Sequence, residues 1–473
     1  MKRLSVLIAI VLLGVTSLWA QANDIESLYE LGITTYWDYG TEADAVEIFT
    51  QVIALDPNFI AAYAYRGATY RLINQMELAK ADFDYALQRD PQNGLALSML
   101  ARWHMQRGEL TLALELSRQA LALEPNVAVV HYNHARILTN TGSYQDGFSA
   151  YDEAIRLEKN AAARSQYYYN RGVELIEAYD DRLTAIESFT AALESDPTNP
   201  LPYASRAHNY ILFSFVDGFL DLAVVDLEQA LAIDPEFTYA LGEYGNALMQ
   251  LGRYDEALAA LGRGIALDPT NADFHVLQGL VYAHQEDATT ALGLINQAIV
   301  LDPQNDQLYF NRAIVHKERG DIRAALDDYT RAIQLNPNNH QALLNRGNLY
   351  TEDADYAAAI ADYSAAIVVW PSFTLAYNVR GIAYSRQGNH EAALADFATV
   401  IELTPFWSAG HYNAGLEFYA LGQYDEAIEA YTRSIELDPT DIKAYQSRAW
   451  AYRMIGALDK ASADEERAIE LGE

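Results

Sequence analysis

Residues 408–440 read SAGHYNAGLEFYALGQYDEAIEAYTRSIELDPT, and small or apolar residues recur there at helical spacing twice over. His411, Ala414, Gly415 and Phe418 fall at i, i+3, i+4 and i+7 on one stripe, and Ala427, Ala430, Tyr431 and Ser434 form a second. The turn LGQYD separates the two stripes and Pro439 closes the second. The pattern predicts a helical hairpin with a buried face on each helix that neither helix covers alone.

The same pattern returns along the chain. Prolines 57, 91 and 125 are 34 residues apart, and so are prolines 235, 269, 303, 337, 371, 405 and 439. Between the two series Lys159 holds the proline slot, and two intervals of 38 lead to Pro197 and Pro235. With Glu473 as the last slot the chain holds thirteen units, each of which buries its faces only by stacking on its neighbours. The irregular stretch, about 159–235, gains residues near KNAAARSQYYYN (159–170) and again in the turn ILFSFVDGFLDLA (211–223). Phe213, Phe215 and Phe219 in that turn either form a contact patch or pack on a lengthened neighbour, and the second is the expectation. In the last helix Glu465 takes the slot held by Phe397 and Tyr431 in the two preceding units, a charge where a further repeat would dock.

A 34-residue helix–turn–helix with Gly at position eight, Ala at twenty, Tyr or Phe at twenty-four and Pro at thirty-two resembles the tetratricopeptide repeat family, over essentially all of residues 24–473. The resemblance implies an all-α, right-handed superhelical solenoid whose first helices line a concave groove, a role in binding proteins or extended peptides, and no catalysis.

Position seven of the unit, in the middle of a buried stripe, is arginine in seven units: Arg66, Arg171, Arg206, Arg312, Arg346, Arg380 and Arg448. Position twenty-three is aspartate in six, Asp82, Asp226, Asp328, Asp362, Asp396 and Asp464, and each lies in an arginine unit. Arg171 faces Ser188 instead. In units without the arginine both slots are uncharged, as in Leu100 with Leu116, Ala414 with Ala430 and His134 with Ala150. A guanidinium in low dielectric needs a carboxylate, whereas an apolar pair replaces both, so these arginines are expected to form structural ion pairs within each hairpin.

Lys2 and Arg3, the apolar run Leu4–Trp19 and Ala20-Gln21-Ala22 form a secretory signal pattern over residues 1–22, with cleavage after Ala22 and an exported, periplasmic or secreted product. Removing Lys2 and Arg3 takes the net charge from −33 to −35, a field that repels nucleic acid. Asn23 and Glu26 then resemble a capping box for the first helix. The chain has no cysteine, which excludes disulfides, thiol catalysis and zinc–thiolate sites.

Catalytic signatures are lacking: there is no phosphate loop, nucleophile elbow or H-E-x-x-H. His131 and His134 have the spacing of a metal pair but occupy inter-helix positions without a third ligand, so a packed pair is expected, with no metal and no cofactor. On the family pattern, position six lines the groove and holds Asn133, Asn170, Asn311, Asn345 and Asn413, a ladder interrupted by Leu277 and Val379. Amides both donate to and accept from a peptide backbone. Tyr132, Arg136, Phe310, Lys317, Tyr412 and Trp450 stand nearby as further binding residues. The leading expectation is a non-catalytic exported scaffold for protein or peptide partners. The alternative is a cell-envelope protein that handles polysaccharide by stacking on groove aromatics; homo-oligomerisation is compatible with either.

Overall fold

The structure, a computed structural model, describes residues 25–472. The expected signal peptide and Asn23 lie outside those residues. Twenty-six helices and no strand occur among the described residues, in thirteen consecutive pairs, so the chain is all-α. None of these helices is long and apolar enough to cross a membrane. The chain divides into two compact units, Met1–Leu267 and Asp268–Glu473. The first holds seven pairs, from Ile25–Trp37 to Tyr254–Leu267, and the second holds six, from Ala272–His284 to Leu458–Gly472.

The boundary between pairs follows from the residues around each proline. The residue ahead of proline is driven out of helical geometry, and Asp302 accordingly sits at φ −134°, ψ 82°. Its carboxylate accepts from the Gln304 N–H, and Asn305 then caps the next helix through the Gln307 N–H. Asp268 with Asn271 and Asn336 with Asn339 repeat the device. A short string of Asp or Asn, then Pro, any residue and Asn thus ends one helix and starts the next.

Within a pair, position eight is small because the ring at position twenty-four lies against it. A Cβ on Gly347 would stand 2.6 Å from Tyr363 Cε1, and one on Gly415 would stand 2.6 Å from Tyr431 Cε1. Tyr363 and Tyr431 are buried in turn, so each ring fills the space that its glycine leaves. The first insertion lengthens a first helix to the 19 residues of Ala161–Tyr179, and the second enlarges the turn at 213–218.

In the first unit the pairs curl until Ile25–Trp37 meets Ala161–Tyr179. The Trp37 ring lies 5.7 Å from Tyr132 and 5.3 Å from Tyr167, both edge-on, and Thr34 accepts a hydrogen bond from Asn160. One continuous core joins Tyr36, Tyr65, Met99, Trp103, Tyr132 and Tyr167 from five successive first helices. Further along, Tyr39 donates to Asp234 at 3.1 Å and packs on Phe237. The second unit has separate smaller cores between neighbouring pairs, such as that around Leu343, Tyr363 and Ala376.

Candidate functional site

The seven position-seven arginines act within the scaffold. In Arg346 the Nε and Nη2 donate to the two carboxylate oxygens of Asp362 at 2.8 and 2.7 Å. The same two-pronged contact joins Arg66 to Asp82, Arg206 to Asp226, Arg312 to Asp328, Arg380 to Asp396 and Arg448 to Asp464, with distances of 2.6–2.8 Å. The carboxylates are buried and the guanidiniums half-buried, and the hydrogen bonds to Asp362 hold the Arg346 guanidinium above its usual proton affinity against the pull of burial.

A third contact escaped the sequence reading. The remaining Nη1 donates to a side chain sixteen residues earlier, in the second helix of the preceding pair. The acceptors are Thr50, Thr190, Asn296, Thr330, Ser364 and Thr432. Each arginine therefore ties its own hairpin together and links that hairpin to its neighbour. The signal was a hydroxyl or amide at a fixed distance before every paired arginine. Arg171 instead donates to Asp152 and Ser188.

The expected groove divides between the units. Tyr132, Asn133 and Asn170 do not line an open surface: all three are buried, Asn133 at 3 % exposure. The curl of the first unit places them in its interior. Asn133 Nδ2 donates to Ser98, and Asn170 Nδ2 donates to Tyr132. Arg136 is half-buried beside Glu174 at 3.2 Å and donates to Asn170. Phe310, in the second unit, is likewise buried rather than free, its ring 5.9 Å from Tyr329.

The first-helix face of the second unit keeps its polar groups accessible. Asn311, Asn345 and Asn413 are half-buried, as are Lys317 and Tyr412, and Trp450 is 58 % exposed. Val379 interrupts the position-six row, but Asn378, one residue earlier, accepts from Asn413 Nδ2 at 2.9 Å and continues it. Asn348 accepts from the Tyr363 hydroxyl at 2.8 Å. Burial pushes the Tyr329 hydroxyl up to about 12. Several of these amides are thus held by a ring or amide of the fold itself.

Other features fall outside this face. His134 pairs with the Ser117 hydroxyl at 2.9 Å and His131 with the Pro125 carbonyl at 2.7 Å. Burial, with Arg118 adding to it, lowers the His134 imidazole to about 4. Phe219 packs on Tyr210 at 4.9 Å, whereas Phe215, in the enlarged turn, is 80 % exposed with the Phe213 ring 5.8 Å from it. Glu465 forms a two-pronged pair with Arg453.

Family models described as tetratricopeptide repeat match residues 73–128, 217–271, 243–306 and 348–406, others match 307–339 and 408–441, and a third set matches 328–361 and 430–461. Hsp70-Hsp90 organizing protein 3 of Arabidopsis thaliana is 35% identical over 239 residues, 49% of this chain and 40% of that protein. U-box domain-containing protein 70 of Oryza sativa subsp. japonica is 25% identical over 246 residues, 50% of this chain and 28% of that protein. The chain therefore spans less than half the length of either relative. Among solved structures, that of MamA protein is 28% identical over 35% of this chain and 91% of that chain, with a TM-score of 0.34. That of the APC/C hetero-tetramer Cut9-Hcn1 is 15% identical over 91% and 90%, with a TM-score of 0.41. With most of the chain matched by these models, and the proline, glycine and aromatic positions of the repeat accounted for by packing, the chain belongs to the tetratricopeptide repeat family.

Proposed function

We propose that this protein is a non-catalytic scaffold, exported by its N-terminal signal, and that its second unit binds an extended peptide segment of a partner protein along the first-helix face. The observation that carries this reading is the set of half-buried amides at one repeat position, Asn311, Asn345 and Asn413, with the buried Asn378 holding Asn413 from below. Each offers both a donor and an acceptor at repeat spacing, which matches the alternation of N–H and C=O along an extended backbone. Lys317, Tyr412 and Trp450 flank the run and supply a cation and apolar area for side-chain selection. The similarity to Hsp70-Hsp90 organizing proteins supports a protein-binding role for the repeats.

The test is selection from a peptide library on the chain beginning at Asn23, followed by affinity measurement with Asn311→Ala plus Asn345→Ala. Loss of at least about tenfold in affinity, with helical content unchanged, is the expected result. Unaltered affinity, or binding to soluble glycans and to no peptide, would replace this reading with a surface of ordinary amides or with the polysaccharide role.

A further inference from the structure

The interior of the first unit holds a charge that its own residues do not balance. Arg71, Arg102 and Arg136 come from three successive first helices; Arg71 and Arg136 lie within electrostatic range of Arg102, and all three within range of Tyr132. Arg102 is 7 % exposed and has no carboxylate partner among the described residues; Asn133, at 3.4 Å, and the Tyr132 phenol are its contacts. Arg71 is equally buried, with Gln106 at 3.4 Å and the Tyr36 phenol as neighbours. Among the described residues the carboxylate that forms an ion pair with any of the three is Glu174, on Arg136. Burial and the adjoining Arg136 and Arg71 guanidiniums lower the proton affinity of Arg102 to about 10. Burial would raise the Tyr132 phenol, but Arg136 and Arg102 outweigh it and lower it.

Everywhere else the chain handles a half-buried position-seven arginine with an aspartate or, for Arg171, with Asp152 nearby. Here three guanidiniums meet one carboxylate, and donors remain unused: among the described residues the Nε of Arg71, the Nε of Arg102 and the hydroxyl of the fully buried Tyr151 have no hydrogen-bond partner. Buried donors without acceptors and buried charge without counter-charge are both strongly unfavourable, and one added oxyanion would relieve both. Three positive groups less one carboxylate leave a local charge near two, which a phosphate group, carrying roughly −1.5 to −2 at neutral pH, matches better than a single carboxylate. Arginine forks suit its oxygens. The negative charge of the whole chain does not forbid this, because solvent-exposed charges are screened within about 8 Å at physiological salt while contact pairs are not.

We propose that Arg71, Arg102 and Arg136 form an oxyanion site inside the first unit that takes a phosphate group, entered where Arg136 reaches solvent. The site is independent of the peptide face of the second unit.

The experiment is calorimetric titration of the full chain with sodium phosphate at constant ionic strength, alongside thermal unfolding in phosphate and in chloride. One phosphate per chain and a higher unfolding midpoint in phosphate than in chloride are expected. Arg102→Met is expected to weaken phosphate binding at least tenfold while its midpoint in chloride matches or exceeds that of the unaltered protein, since it removes an unpaired buried charge. If Arg102→Met does not fold, Arg71→Gln carries the same expectation for binding. Displacement of bound phosphate by phenyl phosphate assigns the site to the terminal phosphate of a larger molecule, and failure to displace it assigns the site to free phosphate. Absence of phosphate binding, or binding unchanged in the folded arginine variant, overturns the proposal.

Discussion

The helices Gly94–Gln106 and Ser408–Ala420 are both thirteen-residue first helices of one repeat type, yet ten positions of the former are buried and four of the latter. The packing inside each hairpin is not the reason, since Ala101 and Gly415 are small at position eight in both. The difference lies on the opposite face. Leu95, Ser98 and Met99 meet the curled interior of the first unit, where Tyr36 and Tyr132 close over them, whereas Tyr412, Asn413 and Leu416 stay half-buried or exposed. One fold unit therefore serves two ends: in the curled first unit the groove positions, Asn133 and Asn170 included, are sealed inside its own concavity, and around Ser408–Ala420 the same positions stay half-buried or exposed.

The largest effect is expected from breaking the filled interior. Tyr167 is fully buried against Trp37 and Tyr132, and Tyr167→Ala is expected to destabilise the first unit by about 3–5 kcal/mol. Hydrogen exchange should then rise across residues 25–195 and stay unchanged at 340–472, because repeats transmit stability to their neighbours. Uniform acceleration over the whole chain would deny the first unit a core of its own.

Both units share the arginine clasp, so Arg346→Ala tests what the open unit relies on. It strands the buried Asp362 carboxylate and is expected to cost about 3 kcal/mol in urea unfolding. Replacing both residues with leucine, the pair found at 100 and 116, should restore most of that loss. A double variant as unstable as the single one would mean that the pair does more than neutralise itself.

The first unit also carries an acid-sensitive histidine. His134 has its folded proton affinity lowered to about 4 by burial, against 6.5 in the unfolded chain, so the unfolded state binds the proton first as pH falls. Its contribution is complete above pH 6.5 and is lost between there and about 4, up to about 3 kcal/mol. His134→Gln should flatten the pH dependence of first-unit unfolding across that window; an unchanged slope would exclude His134 as the source. The smallest effect is local to the second unit. Ala354 occupies a hairpin turn at φ 60°, where Gly388 and Gly422 stand in the next two pairs, and Ala354→Gly is expected to stabilise by about 0.5–1 kcal/mol in thermal unfolding.

The helices, their ends and the arginine–aspartate pairs were legible in the sequence because each depends on residues within one 34-residue unit. Pro439 ends a helix locally, and Asp362 lies sixteen residues from Arg346. The filled interior was not legible. Trp37 meets Tyr167 only because small rotations accumulate over several pairs, and no pattern inside a unit encodes that sum. Asn133 and Asn345 hold the same slot and look alike in sequence, and their surroundings decide that one is sealed and the other reachable. Asn378 was missed because it sits one residue off the expected register and joins Asn413 across the break at Val379.

Because the chain contains no cysteine, a single introduced thiol reports directly on that distinction. Asn133→Cys and Asn413→Cys place it at the same repeat position in the two units. The decisive measurement is the rate at which each reacts with a thiol-specific reagent in the folded protein, relative to the unfolded chain. Asn413→Cys is expected to react promptly and Asn133→Cys at least about a hundredfold more slowly, limited by opening of the first unit. Equal rates would contradict a first unit closed around its own side chains.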